Sequence, residues 1–221
     1  MQRLDNADEY ARRPPVRLLA VSKTRPAAAI AELACEWRLV QPGLVPAFGE
    51  NYVQEALAKQ KALADVTLEW HLIGHLQSNK AGDAARAFDW VQTVDRMKLV
   101  AALAAHRPTD RAPLNVLVQV NIDDEASKHG CAPQDIDAFA DAIAGESSLR
   151  LRGLMAIPAP HPDVELRRAA FRAMRSLFDA LAARHPSVDT LSMGMSDDIE
   201  LAIEEGATMV RVGTALFGRR G

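Results

Sequence analysis

Lys23 closes an apolar run, Val16-Arg17-Leu18-Leu19-Ala20-Val21-Ser22-Lys23-Thr24, just before the chain turns at Arg25-Pro26 into an alanine-rich helical stretch. In parallel α/β proteins ligands bind at the C-terminal ends of the strands, and an amine set among Leu19, Ala20 and Val21 loses hydration, which favours its neutral, nucleophilic form. Such an amine can form a Schiff base with a carbonyl. The same spacing also describes a lysine that has left the core and faces water, so other segments must decide. Two turns offer a second chemistry, Ser192-Met193-Gly194-Met195-Ser196-Asp197-Asp198 and Gly213-Thr214-Ala215-Leu216-Phe217-Gly218. In phosphate-binding barrels the loops after strands seven and eight hold the phosphate through backbone amides and small hydroxyls. Gly194 permits close backbone approach, and Ser196 or Asp197 can cap the helix that begins near Ile199. Each turn alone reads equally well as an ordinary connection, and Asp197 and Asp198 repel a phosphate unless they point away.

Arg211 lies inside the apolar run Met209-Val210-Arg211-Val212-Gly213 and shares a face with Met209 and Gly213. A guanidinium there needs a partner. A core carboxylate such as Glu50 fits, and so does an acceptor on a ligand, for instance a heteroaromatic nitrogen. His71 and His75 could share a metal on a helix, but Gly74 and the surrounding residues argue for a strand and a loop. Residues four apart there are more than about 12 Å distant, so no metal site is expected. Gly49-Glu50-Asn51 ends its strand with a polar side chain over the same mouth, and Lys80, in Gln77-Ser78-Asn79-Lys80, is either solvated or a second cation near the site.

The elements that must position these residues alternate along the whole chain. Strands are expected at Val16 to Lys23, Ala47 to Glu50, Leu68 to Ile73, Trp90 to Val94, Asn115 to Ile122, Leu149 to Ile157, Thr190 to Met193 and Thr208 to Val212. Amphipathic helices fall between them, such as Glu165 to Arg184 with Leu166, Ala170, Met174, Leu177, Phe178 and Leu181 on one face. Eight βα units predict a single-domain α/β protein, a (β/α)8 TIM-type barrel over residues 1–221, with 1–15 loose or a truncated helix. At 221 residues and 48% hydrophobic content the chain can build one such core. A formal net charge of -3 with no basic block argues against nucleic acid as a partner. With no apolar stretch near the roughly 18 residues of a membrane span and a polar start, a cytoplasmic protein is expected. Cys35 and Cys131 fit no metal spacing and read as reduced thiols. Trp37 to Pro46, with Pro42-Gly43, reads as an enlarged loop.

Taken together, these segments resemble the pyridoxal phosphate homeostasis protein family, single-domain relatives of the alanine racemase barrel. The resemblance spans nearly the whole chain. It is carried by Leu19-Ala20-Val21-Ser22-Lys23-Thr24, Phe48-Gly49-Glu50-Asn51-Tyr52-Val53-Gln54-Glu55, Trp70-His71-Leu72-Ile73-Gly74, Leu76-Gln77-Ser78-Asn79-Lys80, Arg152-Gly153-Leu154-Met155, Met193-Gly194-Met195-Ser196-Asp197-Asp198 and Val210-Arg211-Val212-Gly213-Thr214. It implies that Lys23 forms the internal aldimine with pyridoxal 5'-phosphate and that Ser196, Gly213 and Thr214 hold the phosphate. It further implies that Arg211 faces the pyridine nitrogen and that Asn51 and Met195 line the ring. An arginine there disfavours protonation of that nitrogen and weakens the cofactor as an electron sink. The expected function is vitamin B6 homeostasis by storage, buffering or delivery of the cofactor, by a monomer without robust catalysis, with apo-enzymes as recipients. The alternative is a pyridoxal phosphate-dependent amino-acid racemase or related enzyme. The chain departs from the family pattern in its short lead-in with Pro14-Pro15, in the stretch from Trp37 to Pro46, which is expected to displace strand two and alter the aim of Asn51, in His75 where proline is usual, and in an end soon after Gly218.

Overall fold

The computed structural model describes residues 15–123, 125 and 128–218. Eight strands run β1 Arg17–Val21, β2 Ala47–Glu50, β3 Glu69–Leu72, β4 Trp90–Val94, β5 Leu114–Val120, β6 Leu149–Ala156, β7 Thr190–Met195 and β8 Met209–Val212. A helix follows each one: α1 Ala27–Val40, α2 Val53–Ala62, α3 Ala81–Ala87, α4 Met97–His106, α5 Ile136–Ala144, α6 Val164–Arg184, α7 Ile199–Glu204 and α8 Thr214–Phe217. The strands pair in sequence order, all parallel, and β8 returns to β1 with Leu19 opposite Arg211. The result is a closed (β/α)8 barrel, as the alternation of elements predicts.

The strand period of two separates two cores. Ala20, Phe48, Leu72, Val91, Val116, Leu154, Leu191 and Val210 face outward and join one continuous apolar layer with the helices. The alternate residues fill the lumen, where Leu19, Ala47 and Met209 form one cluster and Trp90, Leu117 and Met155 another. Into the same lumen point polar side chains from β3, β4, β7 and β8. The residues that could do chemistry are therefore fixed by short strands buried on both sides.

Two expectations need correction. Trp37 lies in α1, which continues to Val40 because the indole packs on Phe48 with ring centroids 6.4 Å apart. The break comes at Pro42-Gly43, where proline cannot continue the helix and Gly43 takes a φ of +91°. The loop is thus shorter than expected, and β2 pairs in register with β3 from Ala47 opposite Glu69 to Glu50 opposite Leu72, so it is not displaced. On α6, Leu166 is 55% exposed because the first turn overhangs the barrel mouth, and the buried stripe is Phe171, Met174, Phe178 and Leu181. The lead-in containing Pro14 lies outside the described residues. No helix of the described residues is long and apolar enough to cross a membrane.

Candidate functional site

Lys23 stands two residues beyond the end of β1, half-buried, with both neighbours held by one buried cluster. The Ser22 hydroxyl donates to Glu50 Oε1 at 2.5 Å. Lys59 Nζ donates to Ser22 O at 2.8 Å, Glu50 Oε1 at 2.7 Å and Glu55 Oε1 at 2.6 Å. The Thr24 amide donates to the same Glu55 oxygen at 2.6 Å, and Thr24 adopts a φ of +64°, in the left-handed region. Glu50 is fully buried. Burial pushes its carboxyl pKa upward against the opposing pull of Lys59 and Ser22. Lys59 was not apparent from sequence, although it falls on the buried face of α2 with Val53 and Ala56, where a charge has to find a partner.

Arg211 is 2% exposed and points into the lumen. It does not pair with Glu50, one of the two partners suggested by sequence, because Lys59 and Ser22 already occupy that carboxylate. Its Nη1 donates to Ser192 O at 2.9 Å and Oγ at 2.8 Å, and its Nη2 donates to Ala156 O at 2.8 Å. With burial uncompensated by a contacting carboxylate, its pKa falls to about 10, so the charge persists at neutral pH. From Ser192 a polar chain crosses the barrel. Its hydroxyl donates to Gln92 Oε1 at 2.7 Å, Gln92 Nε2 donates to His71 Nδ1 at 2.9 Å, and His71 Nε2 donates to Glu69 Oε1 at 2.6 Å. Because β4 and β7 are not neighbours in the sheet, the Gln92 to Ser192 bond spans the lumen. Burial keeps His71 neutral, with its proton on Nε2. Burial also pushes the Glu69 carboxyl upward, but the His71 N–H and the Arg17 guanidinium, 2.7 Å away, outweigh it and hold the pKa at about 2.

Near the end of β7 the chain needs glycine at 194. Its φ is +92°, and a Cβ there would lie 2.5 Å from Ala202 Cβ on α7. This tight passage delivers Met195, Ser196 and Asp197 to the mouth. Asp198 turns back, its Oδ1 accepting from the Met195 amide at 2.6 Å, which ties up one of the two carboxylates of that loop. After β8, Thr214 opens α8, so its amide and that of Ala215 have no acceptor within the helix. The α8 end is tethered by Arg25, which donates to Gly218 O and lies over the Phe217 ring.

One cavity of about 620 Å³ collects Lys23, Met195, Ser196, Arg211, Gly213 and Thr214, within the size range of small-molecule sites. Arg25, Arg167 and Asp198 line it too, although the sequence reading had not singled out Arg25 or Arg167. Arg167 Nε is buried without a hydrogen-bond partner among the described residues, an unsatisfied donor at the cavity wall. Asn51 is not brought there. It lines a neighbouring cavity of about 540 Å³ with Tyr52, Gly74, His75 and Lys80. Gly74 lets that wall close, since a Cβ at 74 would lie 2.2 Å from Asn51 O. His71 and His75 are separated, one in the lumen and one exposed at the mouth.

Residues 2–221 match the family described as alanine racemase, N-terminal domain. The chain is 53% identical over 220 residues to the pyridoxal phosphate homeostasis protein of Pseudomonas aeruginosa, covering 99% of this chain and 91% of that one. It is 49% identical over 208 residues to the protein of the same name from Escherichia coli K12, covering 93% and 86%. Among solved structures it resembles PipY of Synechococcus elongatus with pyridoxal phosphate bound, at 39% identity and a TM-score of 0.80, covering 98% of this chain and 99% of that chain. Alanine racemase from Corynebacterium glutamicum, at 18% identity and a TM-score of 0.62 over 97% of this chain and 58% of that one, shares the fold alone. At these identities and coverages the chain belongs to the pyridoxal phosphate homeostasis protein family.

Proposed function

We propose that this protein binds pyridoxal 5'-phosphate and serves vitamin B6 homeostasis by storing, buffering or delivering it, with Lys23 as the covalent attachment point. The observation that carries the reading is the single cavity in which an amine, a buried guanidinium and two small hydroxyls converge, in a chain whose relatives bear the cofactor in their name or structure. The residues fit the group. Four cations, Lys23, Arg25, Arg167 and Arg211, face two carboxylates across the cavity, and Asp198 spends one oxygen on its own loop. The balance suits a dianionic phosphate, and the unsatisfied Nε of Arg167 is a donor awaiting an acceptor.

When bound, the cofactor supplies an aldehyde that amines trap reversibly and a ring that can withdraw electrons. Lys23 Nζ is the nucleophile, aimed by the clamp on Ser22 and Thr24. Ser196, Gly213 and Thr214 hold the phosphate, Met195 lines the ring, and Arg211 offers a guanidinium to the ring nitrogen. Asn51, which lines the other cavity, has no part in this binding mode. Racemisation needs acid–base groups on both faces of a substrate. Tyr52 is 64% exposed and lines the other cavity rather than the one with Lys23, which favours a carrier over a racemase. In this reading the carrier is a single-domain cytoplasmic monomer that passes its cargo to apo-enzymes.

The test is borohydride reduction of the protein incubated with pyridoxal phosphate, followed by peptide mapping. A stoichiometric adduct on Lys23, lost in a folded Lys23→Ala variant, is expected. Labelling scattered over surface lysines would refute the assignment. Sustained exchange of an amino-acid α-proton in heavy water would replace the carrier with the racemase reading.

A further inference from the structure

The half of the barrel mouth away from Lys23 holds a second group of ligand-type side chains. His75 follows β3, Asp95 follows β4 directly, and His129 lies in the segment after β5. Three connections distant in sequence thus converge. Each residue offers one imidazole nitrogen or carboxylate oxygen, and these atoms all lie within 4.8 Å of one another. The two imidazoles are stacked with centroids 3.7 Å apart, and His75 Nδ1 lies 3.6 Å from Asp95 Oδ2. That distance is long for a hydrogen bond. It is close to the roughly 3.3 Å that separates two ligand atoms each about 2.0–2.1 Å from a tetrahedral zinc.

The surroundings prepare the carboxylate for this task. Arg96 Nη1 donates to Asp95 Oδ1 at 2.6 Å, and its Nη2 donates to Leu76 O. The guanidinium is therefore committed on one side of Asp95, orienting the carboxylate as outer-shell partners do in metal sites, while Oδ2 is left facing His75. Gln119 Nε2 donates to His129 O at 3.1 Å and anchors that segment. Among the described residues no protein group bonds to the imidazole nitrogens of His129.

We propose that His75, Asp95 and His129 form a binding site for a divalent transition-metal cation of the zinc class at the mouth of the barrel. The ring planes are 17° apart, so one ion cannot lie in both. Ligation exchanges the stack for two bonds through rotation of one exposed ring about its Cβ–Cγ bond. Two imidazoles and one carboxylate leave at least one coordination position for water or a small ligand. Bound there, the ion clips the connections after β3, β4 and β5 together. The proposal departs from the expectation of no metal, which weighed the His71 and His75 pair and the two cysteines but not this trio.

The test is calorimetric titration of tag-free, chelator-treated full-length protein with Zn²⁺, with Co²⁺ absorbance as a second readout. Binding of one Zn²⁺ per chain is expected, with a Tm rise of about 5–10 °C at a hundredfold excess over Kd. His75→Ala, Asp95→Asn and His129→Ala should each weaken binding at least about tenfold, since even outer-shell partners are worth about 10–100-fold. If Asp95→Asn fails to fold, the two histidine variants decide. Binding that survives both histidine replacements, or no stoichiometric uptake in the micromolar range, overturns the proposal.

Discussion

Replacing Lys59 by methionine isolates the clamp behind Lys23. The Lys59 side chain is 8% exposed and that of Glu50 is fully buried, so the exchange keeps the apolar stem and leaves Glu50 with only the Ser22 hydroxyl. Breaking a buried pair on one side costs about 3–5 kcal/mol when the remaining charge stays. Glu50 has an escape, because it can take up a proton. From an ordinary carboxyl pKa of 4.5 that uptake costs about 3.4 kcal/mol at about pH 7 and about 1.4 kcal/mol at about pH 5.5. In the variant, folded protein binds a proton that unfolded protein lacks, so its stability falls as pH rises above 4.5. Urea unfolding at the two pH values should therefore show a deficit of about 3 kcal/mol at neutrality that shrinks by up to about 2 kcal/mol in mild acid. The double variant Glu50→Gln, Lys59→Met removes the stranded charge and should recover most of the loss. A deficit independent of pH, or a double variant no better than the single one, would refute the reasoning. Because Lys59 also holds Ser22 O, the single variant should give a lower yield of the Lys23 adduct under identical reduction.

Gly194→Ala should cost about 1–3 kcal/mol in urea unfolding, from the positive φ and the 2.5 Å approach to Ala202; a change within error would contradict the tight passage described. Glu69, with its carboxyl held at about 2 against an ordinary 4.5, stabilises the fold above pH 4.5 and loses that contribution as pH falls toward 2. Glu69→Gln should accordingly flatten the acid limb by about 2–3 kcal/mol, and parallel acid curves would count against the ion pair with Arg17. Among the thiols, Cys35 is exposed, whereas burial pushes Cys131 up to about 12, so one fast and one protected thiol are expected with a disulfide reagent. Two equally fast thiols would mean that the β5 end opens readily.

The barrel was legible because its signal is repeated. All eight strands were legible to within two residues at each end, and the small differences arise where side chains invisible to periodicity extend or stop an element. Val16 and Lys23 read as strand by composition, yet the ladder ends at Val21, where the Glu50 and Lys59 cluster takes over the backbone of Ser22. Trp37 looked like the start of a loop because Pro42 and Gly43 dominate that stretch, but an aromatic contact to another strand decides the matter and no local pattern reports it. Lys23, Met195, Ser196, Arg211, Gly213 and Thr214 could be named because they sit at or near strand ends, a position sequence reveals, whereas Arg167 of the same cavity comes from α6 and could not. Residues that support them could not: Gln92 and Ser192 are ordinary strand positions until the barrel closes and brings β4 opposite β7. Asn51 shows the converse limit, since a strand end fixes height above the sheet but not which of two adjoining cavities the side chain lines.

The lumen chain also bears on the proposed role of the site in holding the cofactor rather than driving carbanion chemistry. Arg211 is oriented by two carbonyls and a hydroxyl, all neutral, while the acidic end of the chain, Glu69, is spent on Arg17 three side chains away. Had a carboxylate contacted the guanidinium, its field would be largely cancelled at the cavity. As built, no carboxylate touches the guanidinium, Asp198 at the cavity wall offsets its charge only from a distance, and buried surroundings strengthen its reach. Under the proposed binding mode such a charge beside the ring nitrogen opposes protonation there, so the ring withdraws electrons weakly while the aldehyde remains open to Lys23. In that mode retention would depend on the amine and the phosphate-side hydroxyls, and electron withdrawal on the ring nitrogen. The lumen separates those two properties by supplying Arg211 with partners that position it without neutralising it.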